Sequence, residues 1–337
     1  MPSTTAGTAT PLPGPGEAFT GRRVAVTGAA GFIGSHLCER LVALGATVVG
    51  IDDFSTGRPE NLLALRSSPA FRLVPHDVTA PLDLSGDLDY VFHLASPASP
   101  ADYLRHPVAT LRTGALGTMN WLQAAARTQA RFLLTSTSEV YGDPQQHPQS
   151  EDYWGHVNPV GPRSVYDEAK RYAEALTVAF GREAAISTGI VRIFNTYGPR
   201  MRASDGRAVP TFIHQARAGS AITVTGDGSQ TRSLCYVDDT VEGLLSVAAS
   251  GWQEPVNIGN PQEISVLKLA ELIRHLCRSA SAIDFGPLPT DDPRRRCPDI
   301  GRARELHWAP RVGLRDGLAR TIAALAATVP SLAGGGR

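Results

Sequence analysis

The chain has 337 residues, 42% of them hydrophobic and 19% charged, enough apolar material for one large domain or two ordinary ones and too much for extended disorder. Lysine plus arginine and aspartate plus glutamate number 32 each. A net charge of zero excludes a global basic field for nucleic acid and a polyanion mimic, and leaves open a local basic pocket for a charged metabolite.

Residues 1–20 are small, polar and rich in proline and glycine, without the basic start and apolar stretch of a signal peptide. They are read as a disordered leader, and 334–337 as a frayed end. No apolar run reaches the ~18 residues of a membrane span. Cys38, Cys235, Cys277 and Cys297 show no CxxC or Cys/His spacing, which predicts a reducing compartment, no disulfides and no metal. A soluble cytoplasmic protein without a membrane or nucleic-acid partner is expected.

Order is predicted from Arg22. Residues 24–27 (VAVT) are a buried strand, 33–44 carry apolar residues at helical spacing, and 47–51 form a second strand. This strand–helix–strand unit must be parallel and right-handed. Further strands follow at 71–74, 90–94, 132–136 and 186–193, with helices over 108–127 and 166–180. The alternation predicts an α/β fold, a doubly wound parallel Rossmann sheet over residues 21–194. Beyond 195 the strands shorten, to 222–225 and 256–258, and a helix covers 266–278. Residues 195–330 are read mainly as a smaller α/β substrate domain, with segments from about 230–260 returning to the sheet.

Between the first strand and helix lies Gly28-x-x-Gly31-x-x-Gly34. Glycines there allow a tight turn and close approach of a pyrophosphate to the helix N-terminus. Phe32 and Ile33 of this turn join the cofactor set, as do Val78 and Leu94 at later strand ends. Asp52 ends the second strand, eighteen residues after Gly34, where a carboxylate accepts both ribose hydroxyls and repels a 2′-phosphate, favouring NAD. Asp53 is a helper or a turn residue, and Asp77 an adenine contact or a turn former.

Tyr166 and Lys170 are four apart on a predicted helix and so share a face, where an ammonium lowers the pKa of a phenol for use as a base. Some thirty residues upstream a strand ends in TSTSEVYG. A strand-end Ser/Thr, then this pair, all after the glycine turn, is a specific constellation.

With TGAAGFIGSHL, HLASPASP, RFLLTSTSEVYGD, YDEAKR, RIFNTYGPRM, GDGSQTRSLCYVDD and DDPRRRCPDI, residues 24–308 closely resemble extended short-chain dehydrogenases/reductases acting on nucleotide sugars. Within them the resemblance is to the UDP-glucuronate decarboxylases. It implies oxidation at sugar C4 with bound NAD, loss of CO2, protonation at C5 and re-reduction at C4 to UDP-xylose; the alternatives are a decarboxylase that releases UDP-4-keto-pentose, another nucleotide-sugar epimerase or dehydratase, and a non-catalytic NAD-binding scaffold. Related 4,6-dehydratases carry Asp-Glu where this chain has Ser138-Glu139, and their Asp protonates a leaving hydroxyl that decarboxylation lacks. The resemblance assigns Thr137 to the sugar hydroxyl, Ser138 to substrate or a proton-carrying water, and Glu139 to proton handling near C5. It assigns Arg232 to the substrate carboxylate and phosphates, Arg296 to the UDP diphosphate, and Asn195 and Arg200 to the substrate. Tyr103 borders the sugar or serves packing. A homodimer is implied, pairing helices near 108–127 and 166–182. Where most relatives have Thr-Asn this chain has Thr113-Gly114, which puts local rigidity in doubt. His93 is read as structural.

Overall fold

The computed structural model describes residues 14–202, 205–287 and 295–327. Its centre is a sheet of β1 (Arg23–Thr27), β2 (Thr47–Asp52), β3 (Phe71–Pro75), β4 (Tyr90–His93), β5 (Arg131–Thr137), β6 (Thr188–Ile193) and the late-returning β11 (Pro255–Ile258). The order is β11-β6-β5-β4-β1-β2-β3, and every pairing is parallel. Strand order reverses between β1 and β4, so a crevice opens there beyond the strands' C-terminal ends.

Alternate residues of each strand feed two separate cores, as strand geometry requires. On one face Val24, Val26, Leu133 and Val191 pack with Leu37 and Leu41 of α2 (Phe32–Ala43) and Leu244 and Leu245 of α8 (Val237–Ser250). On the other, Ala25, Val91, Phe132 and Leu134 pack with Trp121 and Leu122 of α5 (Thr118–Thr128) and Ala173 of α6 (Ser164–Glu183). Two helix layers bury the central strands on both faces, which explains why those strands read as continuous apolar runs, while edge strand β3 stays partly exposed.

Two expectations need correction. The leader is ordered at its end: α1 (Pro15–Phe19) starts on a proline, and the Phe19 ring is fully buried, 4.9 Å from Tyr90 and 6.1 Å from Phe92. One aromatic anchor thus fixes a segment whose composition reads as disorder; residues 1–13 and 334–337 lie outside the described residues. The helix expected over 108–127 is instead α4 (Pro107–Arg112), a π-helical turn at Thr113–Gly117, and α5. A Cβ on Gly114 would lie 2.8 Å from that of Ala169, so glycine lets this turn press directly on α6.

The remaining elements cap the crevice. α3 (Pro100–Arg105) follows β4, and its cap Ser99 accepts from the Asp102 amide at 3.2 Å. Beyond β6, β7 (Thr196–Tyr197) pairs with β10 (Cys235–Tyr236), and α7 (Ala208–Ala218) leads to β8 (Ile222–Thr225), which pairs with β13 (Ile283–Gly286). β9 (Thr231–Ser233) runs antiparallel to β12 (Glu263–Ser265), which leads into α9 (Val266–Leu276). α10 (Gly301–Glu305) and α11 (Leu314–Ala327) close the described chain.

Candidate active site

A cleft of about 670 Å³ opens where the strand order reverses. Its floor at one end is the glycine turn. Gly28 takes φ of 71°, and a Cβ there would lie 3.0 Å from the Ala95 amide; a Cβ on Gly34 would collide with the Gly28 carbonyl. The three glycines therefore leave a bare backbone cradle at the N-terminus of α2, the shape and polarity that a pyrophosphate needs. Asp52, Asp53, Phe32, Ile33, Val78 and Leu94 line the same end. The Asp52 carboxylate accepts from the amides of Ala30 and Phe54, each at 2.8 Å, which fixes it facing the cleft. Burial pushes its carboxyl up, and those amides pull it back. Asp53 accepts from the Ser55 amide at 2.9 Å as a turn former. Asp77 does the same for Thr79 at 2.8 Å, and it is exposed and outside the cleft lining.

At the centre, α6 brings Tyr166 and Lys170 under the end of β5. Both are buried. The Lys170 ammonium donates to the Thr135 carbonyl at 2.9 Å and lies 5.9 Å from the Tyr166 ring centre. Burial brings Lys170 down to about 8. Burial and the Glu139 charge push the Tyr166 phenol up, while the Thr137 side chain beside it acts in the other direction. Tyr103 stacks on Tyr166 with ring centres 5.3 Å apart and planes 5° from parallel, and its hydroxyl has no hydrogen-bond partner among the described residues. The arrangement fits a general base whose phenolate is stabilised by an ammonium. His93 is structural as read: it is buried between Thr27 at 2.9 Å and Thr118 at 3.4 Å, and burial brings it down to about 3.

Thr137 caps a short 3-10 turn, Ser138–Tyr141, by accepting from the Glu139 amide at 3.2 Å. That turn aims Glu139 between two arginines. Arg296 donates to both carboxylate oxygens, at 2.6 and 3.0 Å, and Arg163 donates to Oε2 at 2.5 Å. Burial alone would raise this carboxyl, but the two guanidiniums override it and hold it well below the usual carboxylate range. Glu139 is thus a fixed anion. The proton-handling role expected from the resemblance does not suit a group whose two oxygens are already taken by cations.

Arg163 is a site residue that sequence reasoning missed. It stands three residues before Tyr166, just ahead of α6, and its position in GPRSVYDEAK was the available signal. Arg202 and Arg207 were missed too. Arg202 pairs with Asp102, and Arg207 donates to the Ala98 carbonyl at 3.1 Å, tying the start of α7 to the SPASP loop. Arg232, Arg296 and Asn195 all line the cleft. Arg200 lines it as well, but its guanidinium is held by Glu39 of α2 at 2.6 Å, on the cofactor side.

His147, Glu263 and Cys297 converge outside the cleft lining, with one donor atom of each within 4.8 Å of the others. Their separation along the chain is what hid them.

Fold and site together define an enzyme of the NAD-dependent short-chain dehydrogenase/reductase type, its cleft lined beyond the glycine turn by several arginines. The chain belongs to the NAD dependent epimerase/dehydratase family, whose model matches residues 24–259. It is 51% identical over 301 residues to UDP-glucuronic acid decarboxylase 1 of Arabidopsis thaliana, covering 89% of this chain and 69% of that protein. Among solved structures it is similar to the dTDP-glucose 4,6-dehydratase of Streptomyces venezuelae with NAD bound, at TM-score 0.82 and 27% identity over 91% of this chain and 97% of that one. It is likewise similar to a UDP-glucose 4-epimerase of Thermotoga maritima with UDP-glucose, at TM-score 0.82 and 28% identity over 91% of this chain and 99% of the other.

Proposed function

We propose that this protein converts UDP-glucuronate to UDP-xylose and CO2 with a tightly held NAD. The observation that carries the reading is the end of β5. There Ser138, not a carboxylic acid, precedes Glu139 in the same cleft lining as the Tyr166–Lys170 pair, so that position offers no acid to expel a hydroxyl as in dehydratases. Identity of 51% to a UDP-glucuronic acid decarboxylase supports the same substrate.

The glycine cradle at Gly28, Gly31 and Gly34, with Asp52 at the ribose end, would hold NAD, which would supply the reversible hydride acceptance that chemistry at sugar C4 needs. Tyr166 accepts the O4 proton, with Thr137 beside it to orient the hydroxyl and Lys170 to steady the phenolate. The ketone at C4 makes the C5 carboxylate that of a β-keto acid, so CO2 departs and leaves an enolate. Ser138 positions the proton-carrying water that delivers a proton to C5, and Tyr166 gives its proton back to O4 at the end. Arg232 meets the substrate carboxylate and phosphates. Arg163 and Arg296, aligned by Glu139, hold the anionic end of the nucleotide.

Residues 21–194 with returns from about 230–260 form the cofactor lobe, and the rest of 195–330 closes over the sugar. The chain acts as a cytoplasmic homodimer. Val108, Leu111, Leu116 and Tyr172 support the dimer, since 41–68% of each remains exposed on α4, the π turn and α6. Light scattering of wild type and Val108→Glu checks it: two chains per particle are expected for the former and one for the latter. No helix among the described residues is long and apolar enough to cross a membrane.

The test of function is incubation with UDP-glucuronate and mass spectrometry of the nucleotide sugar. A UDP-pentose lighter by one CO2, absent with Tyr166→Phe, is expected. Untouched UDP-glucuronate in the presence of NAD would overturn the proposal.

A further inference from the structure

Away from the reaction centre, three side chains of metal-binding type from distant parts of the chain meet. The imidazole of His147, the carboxylate of Glu263 and the thiol of Cys297 place their donor atoms within 4.8 Å of one another. His147 Nε2 lies 3.0 Å from Glu263 Oε2.

The framework around them is built rather than accidental. The Gln149 amide donates to the Cys297 carbonyl at 2.9 Å, and the Cys297 amide donates to the Gln149 side-chain oxygen at 2.8 Å. A further bond from the Asp299 amide to the Gln149 carbonyl, 2.8 Å, clamps the two segments in parallel. His147 and Cys297 are thereby held in register. Thr231 donates to Glu263 Oε1 at 2.5 Å, which turns the other oxygen toward His147. Orientation of a ligating carboxylate by a hydrogen bond to its second oxygen is how metal sites are commonly supported. Beneath them Ser233 is fully buried with its hydroxyl beside the Cys297 thiol, and that thiol donates to the Pro261 carbonyl at 3.3 Å.

From this convergence we propose that His147, Glu263 and Cys297 form a binding site for a borderline-soft divalent cation of the Zn2+ class. One nitrogen, one oxygen and one sulfur donor suit that class better than Mg2+ or Ca2+, which take oxygen alone. Small shifts of the donors close them onto one ion, and the partly exposed His147 and Glu263 leave a fourth position for water. On binding, the Cys297 thiol releases its proton to solvent and the imidazole coordinates as the neutral ring.

The location gives the site a consequence. Cys297 adjoins Arg296, the bidentate partner of Glu139, and Glu263 lies on β12 beside Ile264, which pairs with Arg232 of β9. A bound cation staples together the two segments that deliver these arginines to the cleft, so its occupancy adjusts their positions.

The probe is Cd2+ added to metal-free protein and followed by the ultraviolet thiolate-to-metal charge-transfer band. A band saturating at one ion per chain is expected, lost in Cys297→Ser and kept in Cys277→Ser, a half-buried cysteine elsewhere. Removing the imidazole in His147→Ala should weaken Cd2+ binding by about tenfold or more. A band that survives Cys297→Ser, or a wild-type titration that never saturates, overturns the site. Should Cys297→Ser fail to fold, His147→Ala decides alone, and unchanged affinity there overturns it.

Discussion

Arg296 grips both oxygens of Glu139, at 2.6 and 3.0 Å, across 157 positions of sequence, joining the end of the catalytic strand β5 to the segment that follows β13. Arg163 completes the clamp from the foot of the tyrosine-bearing helix. Both arginines are at least four-fifths buried, so removing the carboxylate leaves two cations in low dielectric. Glu139→Gln should therefore destabilise the fold by about 3 kcal/mol at neutral pH. The sign with pH follows from a folded pKa below the ordinary 4.5. The carboxylate's contribution is fully present above that value and fades as the pH falls below it. Urea unfolding of both proteins checks this, with the gap between them narrowing in acid.

Tyr166→Phe should lower turnover by about 10²- to 10⁴-fold and leave NAD binding intact, because the ring still stacks on Tyr103 and only the proton acceptor is gone. Stopped turnover with retained cofactor, read by absorbance of the purified protein, is the expected pair of results.

Lys170 has its own pH signature. Burial lowers its pKa from 10.5 to about 8, so between those values the unfolded chain holds more protons than the folded one. Its contribution to stability therefore rises with pH through that window. In Lys170→Met the rise should vanish, as unfolding of both proteins at about pH 7 and about pH 10 would reveal.

Asp167 behaves in the opposite sense to Glu139. Burial and then the Glu139 charge raise its carboxyl, and its Oδ1 has no partner among the described residues. A folded pKa above the unfolded value means that its cost is absent in acid and grows as the pH rises through the folded pKa. Asp167→Asn should stabilise the protein by about 1–3 kcal/mol at pH ~8 and by little at pH ~4. Thermal melting at both pH values is the check.

At the cofactor turn, Gly34→Ala forces a methyl group into the Gly28 carbonyl. Overpacking of this kind costs about 1–3 kcal/mol, and since the strained backbone is the cradle itself, NAD affinity should fall about tenfold or more. Isothermal titration with NAD measures it.

Where a single residue type answers a local need, the sequence was readable. The glycine turn, the strand-end Asp52 and the Tyr166–Lys170 spacing are such cases, and all three meet in one cleft. What stayed hidden depends on contacts between distant segments. Nothing local marks Arg296 as the partner of Glu139, Phe19 as the plug of an apolar corner, or His147 as a neighbour of Cys297. The π turn at Thr113–Gly117 was equally invisible, since its cause is the close seat of Gly114 on Ala169 and not any break in helical periodicity.

The most direct test of the account follows one atom. UDP-glucuronate deuterated at C4 is incubated with the protein, and the UDP-pentose product is examined by mass spectrometry and NMR. A hydride that leaves C4 and returns to it within one closed cleft predicts UDP-xylose with the deuterium still at C4. A pentose that has lost the label, or a substrate that is never decarboxylated, would contradict the account.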